Sequence, residues 1–267
     1  MLTRCGRRSV AIVAGVSFDR AAGYYDATRS LPERVRDELA DVLAAELSGR
    51  GPCLEIGVGT GRIALPVHRR GIPMTGADIA PAMVERLIAN AGGRPFPLML
   101  ADATRLPAAG GSFGAVMASH VLHLIPEWRS AVDEAFRVLR PGGLLLADFG
   151  GGPRAPWSGP SRELMHRRRI FHSRPGVSDP LTIGDYLGGR VSMRELPPVA
   201  MTMRRTLRQD LDNWERQIHA WTWPYSPGNI RAACADIRDW AAGHGWPLDR
   251  EVELDGVIQW WAFELNG

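Results

Sequence analysis

The chain has 267 residues, of which 45% are hydrophobic and 23% are charged, a composition that excludes intrinsic disorder and fibrous repeats. Its length fits one large domain, alone or with an inserted cap. All 32 basic side chains are arginines, and the 29 acidic side chains leave a net charge of only +3. That balance is too weak to predict a nucleic acid as a partner.

The three cysteines, Cys5, Cys53 and Cys234, are an odd number at unrelated spacings. They predict neither a disulfide framework nor a zinc site, and we expect no bound metal and a reducing cytoplasm. Within residues 1–17, three arginines precede the apolar run 10–16, and no cleavage motif follows that run. We therefore predict a disordered leader rather than an export signal. No run of eighteen apolar residues predicts a membrane span.

The first predicted helix lies in an N-terminal lid region, residues 18–50. Ser30 to Glu33 has the pattern of a capping box with a proline in the first turn. Apolar residues then recur at helical spacing from Val35 to Leu47, and Gly49 and Gly51 end the helix.

Residues 51–150 alternate between strand-like and helix-like segments, which predicts a parallel, doubly wound, Rossmann-like α/β sheet. The predicted segments are strand 53–56, helix 62–70, strand 72–77, helix 81–91, strand 96–101, strand 115–119, helix 127–139 and strand 144–149.

This alternation stops at Gly150, where a stretch rich in Pro and Arg begins. We predict an inserted helical cap over residues 151–190, with a helix over 161–170. Residues 191–267 then predict C-terminal strands and helices: a strand-like segment over 199–207, helices over 210–220 and 229–243, and a last strand or hairpin over 252–265.

A glycine-rich turn follows the first predicted strand of the sheet, with glycines at 57, 59 and 61. A dinucleotide fingerprint needs its third glycine where this chain has Arg62. Glu55 stands two residues before the first glycine, and a carboxylate there would repel a phosphate. The turn therefore predicts a cationic ligand rather than a pyrophosphate.

Two further acids follow the next strands of the predicted sheet. Asp78 lies where α/β sheets offer a carboxylate to the two hydroxyls of a ribose. Asp102 follows an apolar strand, and its carboxylate suits an exocyclic amine such as that of adenine. Together with the glycine turn, these acids predict a nucleoside that carries positive charge and no phosphate.

These segments resemble the class I S-adenosylmethionine (SAM)-dependent methyltransferases, and among them the small-molecule family that includes ubiquinone/menaquinone-type enzymes. The resemblance covers about residues 18–150, through the segments 54–61, 111–116, 119–124 and 137–145. It implies a seven-stranded sheet whose last strand is antiparallel. Gly114 replaces the aspartate usual in that family, a change that we expect to affect only a turn.

The resemblance also implies which residues hold SAM. Glu55 and Gly57 would lie near its methionine part, and Asp78 would hold the ribose. The remaining implied contacts are Ile79 and Met83 on the adenine, Asp102 with Ala103 at its amine, Tyr25 and Arg29 from a lid, and Gly59, Gly61 and Ser119 along the crevice.

Methyl transfer needs alignment above all, and it needs a base only where the acceptor must lose a proton. His120 follows the fourth predicted strand, so it is our candidate base, with packing as the alternative. We expect His123 to be structural. The arginines between 162 and 174 form either a solvated surface or a clamp for an anionic acceptor, and the tryptophans between 214 and 223 divide between core and an apolar acceptor pocket.

The sequence therefore predicts a cytoplasmic enzyme that methylates an O, N or C atom of a small molecule, with no nucleic-acid or membrane partner. Its oligomeric state does not follow from the sequence. One alternative is a SAM-binding protein that does not methylate, such as a sensor or scaffold. A nicotinamide-dependent oxidoreductase is a second alternative, which Glu55 and Arg62 disfavour.

Overall fold

The computed structural model describes residues 16–150, 152–172 and 174–266, so the predicted leader lies almost wholly outside the described residues. Within them, none of the helices combines the length and the apolar character that crossing a bilayer requires. The described strands, numbered in chain order, are β1 Cys53–Ile56, β2 Met74–Asp78, β3 Leu98–Leu100, β4 Phe113–Ser119, β5 Leu139–Asp148, β6 Val191–Glu195, β7 Val199–Arg205, β8 Val252–Ile258 and β9 Trp260–Leu265.

The described α-helices flank these strands or join them, and α3 is much shorter than the helix predicted over 62–70. They are α1 Tyr25–Arg29, α2 Glu33–Leu47, α3 Ala64–His68, α4 Pro81–Ala91, α5 Trp128–Val138, α6 Ser158–Arg167, α7 Pro180–Leu187, α8 Leu207–Glu215 and α9 Pro227–Gly243.

Seven strands form one sheet in the order β3-β2-β1-β4-β5-β9-β6. All pairings among β1 to β5 are parallel, whereas β9 is antiparallel to both of its neighbours. Both faces of the sheet are covered by apolar core, with α2 and α3 on one face and α5 and α7 on the other. The predicted Rossmann-like sheet with its antiparallel last strand is confirmed.

A third apolar core lies outside the main sheet. It joins α6, α8 and α9 through buried side chains such as Trp157, Leu211 and Ile230. From the region predicted as a cap, α6 belongs to this helical core, while α7 packs on the main sheet through Ile183 and Leu187. The boundaries of the cap at residues 151 and 190 stay a prediction.

The structure corrects three local predictions. Ser30 does not cap α2. Its N–H donates to the carbonyl of Asp26 and completes α1. Helix α2 begins at Glu33 and has no side-chain cap. The last segment is not a hairpin, because β8 pairs with β7 in a separate two-stranded sheet while β9 enters the main sheet. Gly114 lies inside β4 rather than in a turn, at an irregularity in the pairing with β5.

Candidate functional site

The glycine turn leaves the carboxyl end of β1 with left-handed backbone at Gly57, Gly59 and Gly61, whose φ angles are +65°, +55° and +79°. Three of its N–H groups donate within the protein. Gly59 donates to Asp78 Oδ2 at 2.8 Å, Gly61 to the Val58 carbonyl at 3.0 Å, and Val58 to the backbone next to Asp78 at 3.0 Å. These donors are therefore not free to cradle a pyrophosphate, which argues against a dinucleotide.

Packing as well as backbone conformation fixes the outer glycines of this turn. A Cβ atom at Gly57 would lie 2.5 Å from Val121, and one at Gly61 would lie 2.8 Å from Leu65. At Gly59 the nearest atom would be Met83 Cε, at an ordinary 3.4 Å. Gly59 is thus the loop glycine with the most space beside it, and Met83 lies buried next to it.

Glu55 lies buried under the glycine turn, and its Oε2 has no hydrogen-bond partner. Burial raises the pKa of this carboxyl to about 8, with a further rise from the nearby Asp78, while the Arg62 charge opposes the shift. A buried carboxyl without a partner is costly to ionise unless a cation or a donor reaches it. The site thus fits a cationic group, as the sequence predicted.

The structure brings Asp78 and Asp102 to neighbouring strand ends, since β2 and β3 are paired and the N–H of Ala101 donates to the Asp78 carbonyl at 2.8 Å. The Asp78 carboxylate accepts N–H groups from Gly59 and Ala80, and burial raises its pKa against these bonds. Asp102 Oδ1 accepts from the N–H and hydroxyl groups of Thr104, both at 2.9 Å. One oxygen of Asp102 is thus left beside Ala103 for a ligand.

Ile79, next to Asp78, is unusual for a large apolar side chain because 39% of its surface is exposed. Leu100, paired opposite Asp78 on β3, is also exposed. An apolar ring placed between the two acids would cover such side chains. Ile79 therefore offers exposed apolar surface beside Asp78, whereas Met83 lies beneath the glycine turn and is already covered.

The predicted lid lies over this site and is fastened to it by Asp26, a residue that the sequence analysis did not single out. Asp26 Oδ1 accepts from Thr60 Oγ1 at 2.6 Å, and Oδ2 accepts from Asn90 Nδ2 at 2.9 Å. Tyr25 precedes Asp26 in α1, and its ring contacts the ring of Phe18 edge-on, with 6.0 Å between the ring centroids. The lid is thus joined to both the glycine turn and α4.

Arg29 at the end of the lid contacts a histidine far away in the sequence. Its Nη2 lies 2.8 Å from His219 Nδ1, and the Arg29 carbonyl accepts from Arg62. Because a guanidinium only donates, Nδ1 of His219 accepts and its Nε2 carries the proton. Burial and the Arg29 charge lower the pKa of His219 to about 3, so this imidazole is neutral at neutral pH. Sequence patterns gave no signal for His219.

We expect this neutral histidine to make the fold acid-sensitive. Burial also lowers the pKa of His123 to about 4, aided by the Arg174 charge. The unfolded chain binds these protons near pH 6.5 and the folded chain does not, so stability is present above pH 6.5 and is lost as the pH falls toward 4. For each of the two histidines, the free energy of unfolding should fall by about 1 kcal/mol per pH unit as the pH drops through that range.

Urea unfolding at pH 7, 5.5 and 4.5 measures this slope. His219→Gln should flatten it, since the amide oxygen still accepts from Arg29 and takes up no proton. His244→Gln is the matched control, because His244 is exposed at the end of α9. Equal slopes in the wild type and His219→Gln would contradict the prediction.

His120 and Ser119 lie where β4 ends, beside the carboxyl end of β5. Ser119 pairs with Asp148 in the sheet, and its hydroxyl is buried without a partner. The next residue, His120, has a left-handed backbone with φ +51° and places Nε2 3.0 Å from Asp148 Oδ2. Both His120 and Asp148 line an open cavity of about 230 Å³, which Pro153 and residues 256–259 also line.

The arginine cluster of the cap does not form a single clamp. Arg167 pairs with Glu163, and Arg168 pairs with Asp236 on α9, which are surface ion pairs. Arg174 points instead to the end of the sheet, with Nη1 3.5 Å from the Phe149 carbonyl. The solvated-surface interpretation therefore holds for the two paired arginines.

The tryptophans between 214 and 223 also divide. Trp214 is buried in the helical core. Trp221 stacks on His172 of the cap, with 3.8 Å between the ring centroids. Trp223 lies against Phe18 of the lid at 5.0 Å. None of them lines the cavity beside His120. Among the described residues, no cluster of three or more potential ligand side chains could hold a metal ion.

Comparison with known proteins identifies the segment that builds this site. Residues 54–147 match the family described as "Methyltransferase domain". The demethylmenaquinone methyltransferase of Beutenbergia cavernae is 34% identical over 152 residues, which cover 54% of this chain and 61% of that protein. The chain spans about half to three-fifths of the length of the curated relatives it matches.

Solved structures agree with this assignment at the level of the fold. The YcgJ protein of Bacillus subtilis superimposes with a TM-score of 0.56 at 17% identity, covering 88% of this chain and 100% of its own. The [4+2]-cyclase SpnF gives a TM-score of 0.50 at 22% identity, covering 96% of this chain and 89% of its own. Residues 54–147 thus match a methyltransferase domain, in a chain that shares the fold of these solved structures.

Proposed function

We propose that this protein transfers the methyl group of SAM to an O, N or C atom of a small-molecule acceptor. The observation that carries the proposal is the buried Glu55 Oε2, which has no partner, beneath a turn in which the N–H groups of Val58, Gly59 and Gly61 are already used. A cationic ligand would supply the missing partner, whereas the phosphates of a nicotinamide dinucleotide would find few free donors and a nearby carboxyl.

In this proposal, the chain holds SAM through residues at the carboxyl ends of β1 to β4. Glu55 and the glycine turn lie nearest its methionine part, and Arg29 of the lid offers a guanidinium without a carboxylate partner among the described residues. The other contacts are those with Asp78 for the ribose hydroxyls, Ile79 and Met83 for the adenine, Asp102 and Ala103 for its amine, Tyr25 for closure and Ser119 for the crevice wall.

Bound SAM supplies a methyl group already activated by a cationic sulfur. The protein therefore has to align the acceptor and exclude water, and alignment alone can lower a barrier by about 7–11 kcal/mol. The lid, fastened by Asp26 to Thr60 and Asn90, closes the site from above. His120 is the residue placed to take a proton where the acceptor carries one.

The acceptor in this proposal is a small molecule, as it is for the quinone-directed relative. The cavity beside His120 has room for about one ring with its substituents. We place the reaction in the cytoplasm, in keeping with Cys53 and Cys234, which are buried and unpaired.

Asp78→Ala tests the cofactor part of the proposal. Removing the carboxylate takes away the acceptor for two ribose hydroxyls, and we expect SAM affinity to fall about 100-fold by titration calorimetry. Asp239→Ala is the control, since Asp239 is exposed on α9. Unchanged affinity in a folded Asp78→Ala protein would refute the assignment of Asp78.

The neighbouring cyclase fold keeps one alternative open, namely a SAM-binding protein that does not methylate. Turnover decides between them: the protein is incubated with SAM and a panel of hydroxyl, amine and carbon acceptors, and S-adenosylhomocysteine is quantified. Methyl transfer predicts its formation with at least one acceptor. SAM binding without S-adenosylhomocysteine across the panel would favour the alternative, and NADH binding without SAM binding would overturn both.

A further inference from the structure

The backbone holds the ring of His120 against Asp148 at the end of the sheet. The N–H of His120 donates to the Asp148 carbonyl at 3.2 Å, which continues the β4–β5 pairing by one residue. The left-handed φ of +51° then turns the side chain back toward β5, where Nε2 lies 3.0 Å from Asp148 Oδ2. Such a backbone conformation is uncommon for a residue other than glycine, although histidine adopts it more readily than most side chains.

The hydrogen bonds of Asp148 fix which imidazole nitrogen is free. The carboxylate is buried, and each oxygen has one donor: Oδ1 accepts from the Gly150 N–H at 2.7 Å, and Oδ2 accepts from His120. A carboxylate only accepts, so Nε2 of His120 carries the proton and the lone pair of the neutral ring lies on Nδ1. The His120 side chain keeps 40% of its surface exposed, so that nitrogen can meet a ligand.

Gly150 provides the space that the ring needs. Its φ of +67° favours glycine, and a Cβ atom at this position would lie 2.9 Å from both Nδ1 and Cε1 of His120. The ring, the carboxylate and Gly150 all border the cavity of about 230 Å³. A reactive nitrogen, an orienting carboxylate and an open space of ring size therefore meet at one place.

We propose that His120 and Asp148 form a base that prepares a hydroxyl acceptor, with Asp148 as the positioning residue, and that the acceptor is a small phenol or enol. This inference rests on the proposed function. The acceptor hydroxyl gives its proton to Nδ1 of His120, and its oxygen forms a bond to the methyl carbon. The carbon–sulfur bond breaks, its electron pair stays on sulfur, and His120 later releases the proton to water.

The chemistry of the acceptor selects this class. A carboxylic acid is already ionised at neutral pH, and a neutral amine attacks through its lone pair before it loses a proton, so neither needs a base for the attack. A phenol with a pKa near 10 is poorly nucleophilic until a base removes its proton. A histidine held in one tautomer by a buried carboxylate supplies that base, and related pairs in other enzymes act in this way.

Asp148 is the charged group in direct contact with His120, and the other titratable or charged groups nearby lie farther away or contact other atoms. On the helical turn after β4, the ring of His123 lies 6.3 Å away and is kept neutral by its lowered pKa. From the cap, Arg174 reaches the Phe149 carbonyl, and Arg62 from the glycine turn acts on Asp148. Burial would raise the pKa of Asp148, but the hydrogen bonds from His120 and Gly150 and the nearby Arg62 charge lower it overall.

Nitrogen-15 NMR of the imidazoles tests the pair without any acceptor. We expect the wild type to show His120 with its proton on Nε2, and Asp148→Asn to change the nitrogen-15 resonances of that ring because the carboxylate that fixes its tautomer is removed. Gly150→Ala should disturb the same resonances by displacing the ring. Asp133→Asn, which changes an exposed carboxylate bonded to Tyr186, is the matched control. Unchanged His120 resonances in Asp148→Asn would overturn the pairing.

Turnover with ring-substituted phenols of graded pKa tests the acceptor class. We expect His120→Ala to lower kcat about 100-fold for phenols of pKa near 10, and progressively less for more acidic phenols. Asp148→Asn should lower kcat and shift the pH profile while the affinity for SAM is retained.

A loss in His120→Ala that is equal across the phenol series, or a product methylated on carbon, would overturn the inference. Turnover of amines alone would also overturn it, yet leave the proposed function standing. Absence of SAM binding would instead refute the proposed function, while the NMR result would still report on the His120–Asp148 pair.

Discussion

Glu55→Gln should make the protein more stable at pH 8 and weaken its binding of SAM. In the folded chain the pKa of Glu55 is raised from 4.5 to about 8, chiefly by burial. The folded state therefore holds a proton that the unfolded state releases above pH 4.5, and wild-type stability falls as the pH rises through 8. At one pKa unit per 1.4 kcal/mol, this loss is on the order of a few kcal/mol, and the amide escapes it.

Urea unfolding at pH 5, 7 and 9 measures this difference. The difference in free energy of unfolding between Glu55→Gln and the wild type should widen as the pH rises. The histidine effect has the opposite pH dependence, because it lowers stability as the pH falls below 6.5. Glu85→Gln is the control, because Glu85 is exposed on α4. A constant gap between the two proteins across the three pH values would contradict the linkage.

The same carboxyl should couple SAM binding to proton release. A cation that reaches Glu55 favours its ionised form, so SAM affinity should rise by up to about tenfold per pH unit until the pH passes 8. Calorimetry in buffers of different ionisation enthalpy should find a proton released on binding by the wild type and not by Glu55→Gln. Equal proton release in both proteins would remove Glu55 from the site.

Local sequence signals predicted the parts of the fold that local physics controls. The bounds of β1 and α4 match the structure, because a buried apolar run between glycines and a proline-started amphipathic helix are complete within their own residues. The left-handed glycines of the turn after β1 were visible for the same reason. The parallel, doubly wound character of the main sheet followed from the alternation of these elements.

Contacts between distant residues could not be predicted in this way. Asp148 looked like the end of an ordinary strand, and its role depends on a β4–β5 register that no single segment specifies. His219 meets Arg29 across 190 residues. The pairing of β7 with β8 outside the main sheet likewise depends on the helical core rather than on the alternation in either strand. Local signals were therefore enough to nominate residues for a cofactor site, whereas the contact of His120 with Asp148 needed the three-dimensional structure.

Gly114→Asp, which introduces the residue usual in the resembled family, should prevent folding here. A Cβ atom at Gly114 would lie 1.6 Å from the Arg50 carbonyl oxygen and 2.6 Å from its carbon, both backbone atoms. The Gly114 N–H also donates to the Pro52 carbonyl at 2.9 Å, so the two segments cannot separate freely. Overpacking of this kind costs about 1–3 kcal/mol or more, and a buried, unpaired carboxylate adds to it.

Gly114→Ala separates the steric effect from the charge. We expect it to lower the free energy of unfolding by at least about 3 kcal/mol, against a total of about 5–15 kcal/mol for a typical domain. Gly159→Ala is the matched control, since nothing lies within 4 Å of its Cβ position, and it should leave stability nearly unchanged. His120 directly follows the last residue of β4, so a shift of this strand at Gly114 should also move His120 away from Asp148. A Gly114→Ala protein with wild-type stability would show that the approach of Arg50 does not constrain this strand.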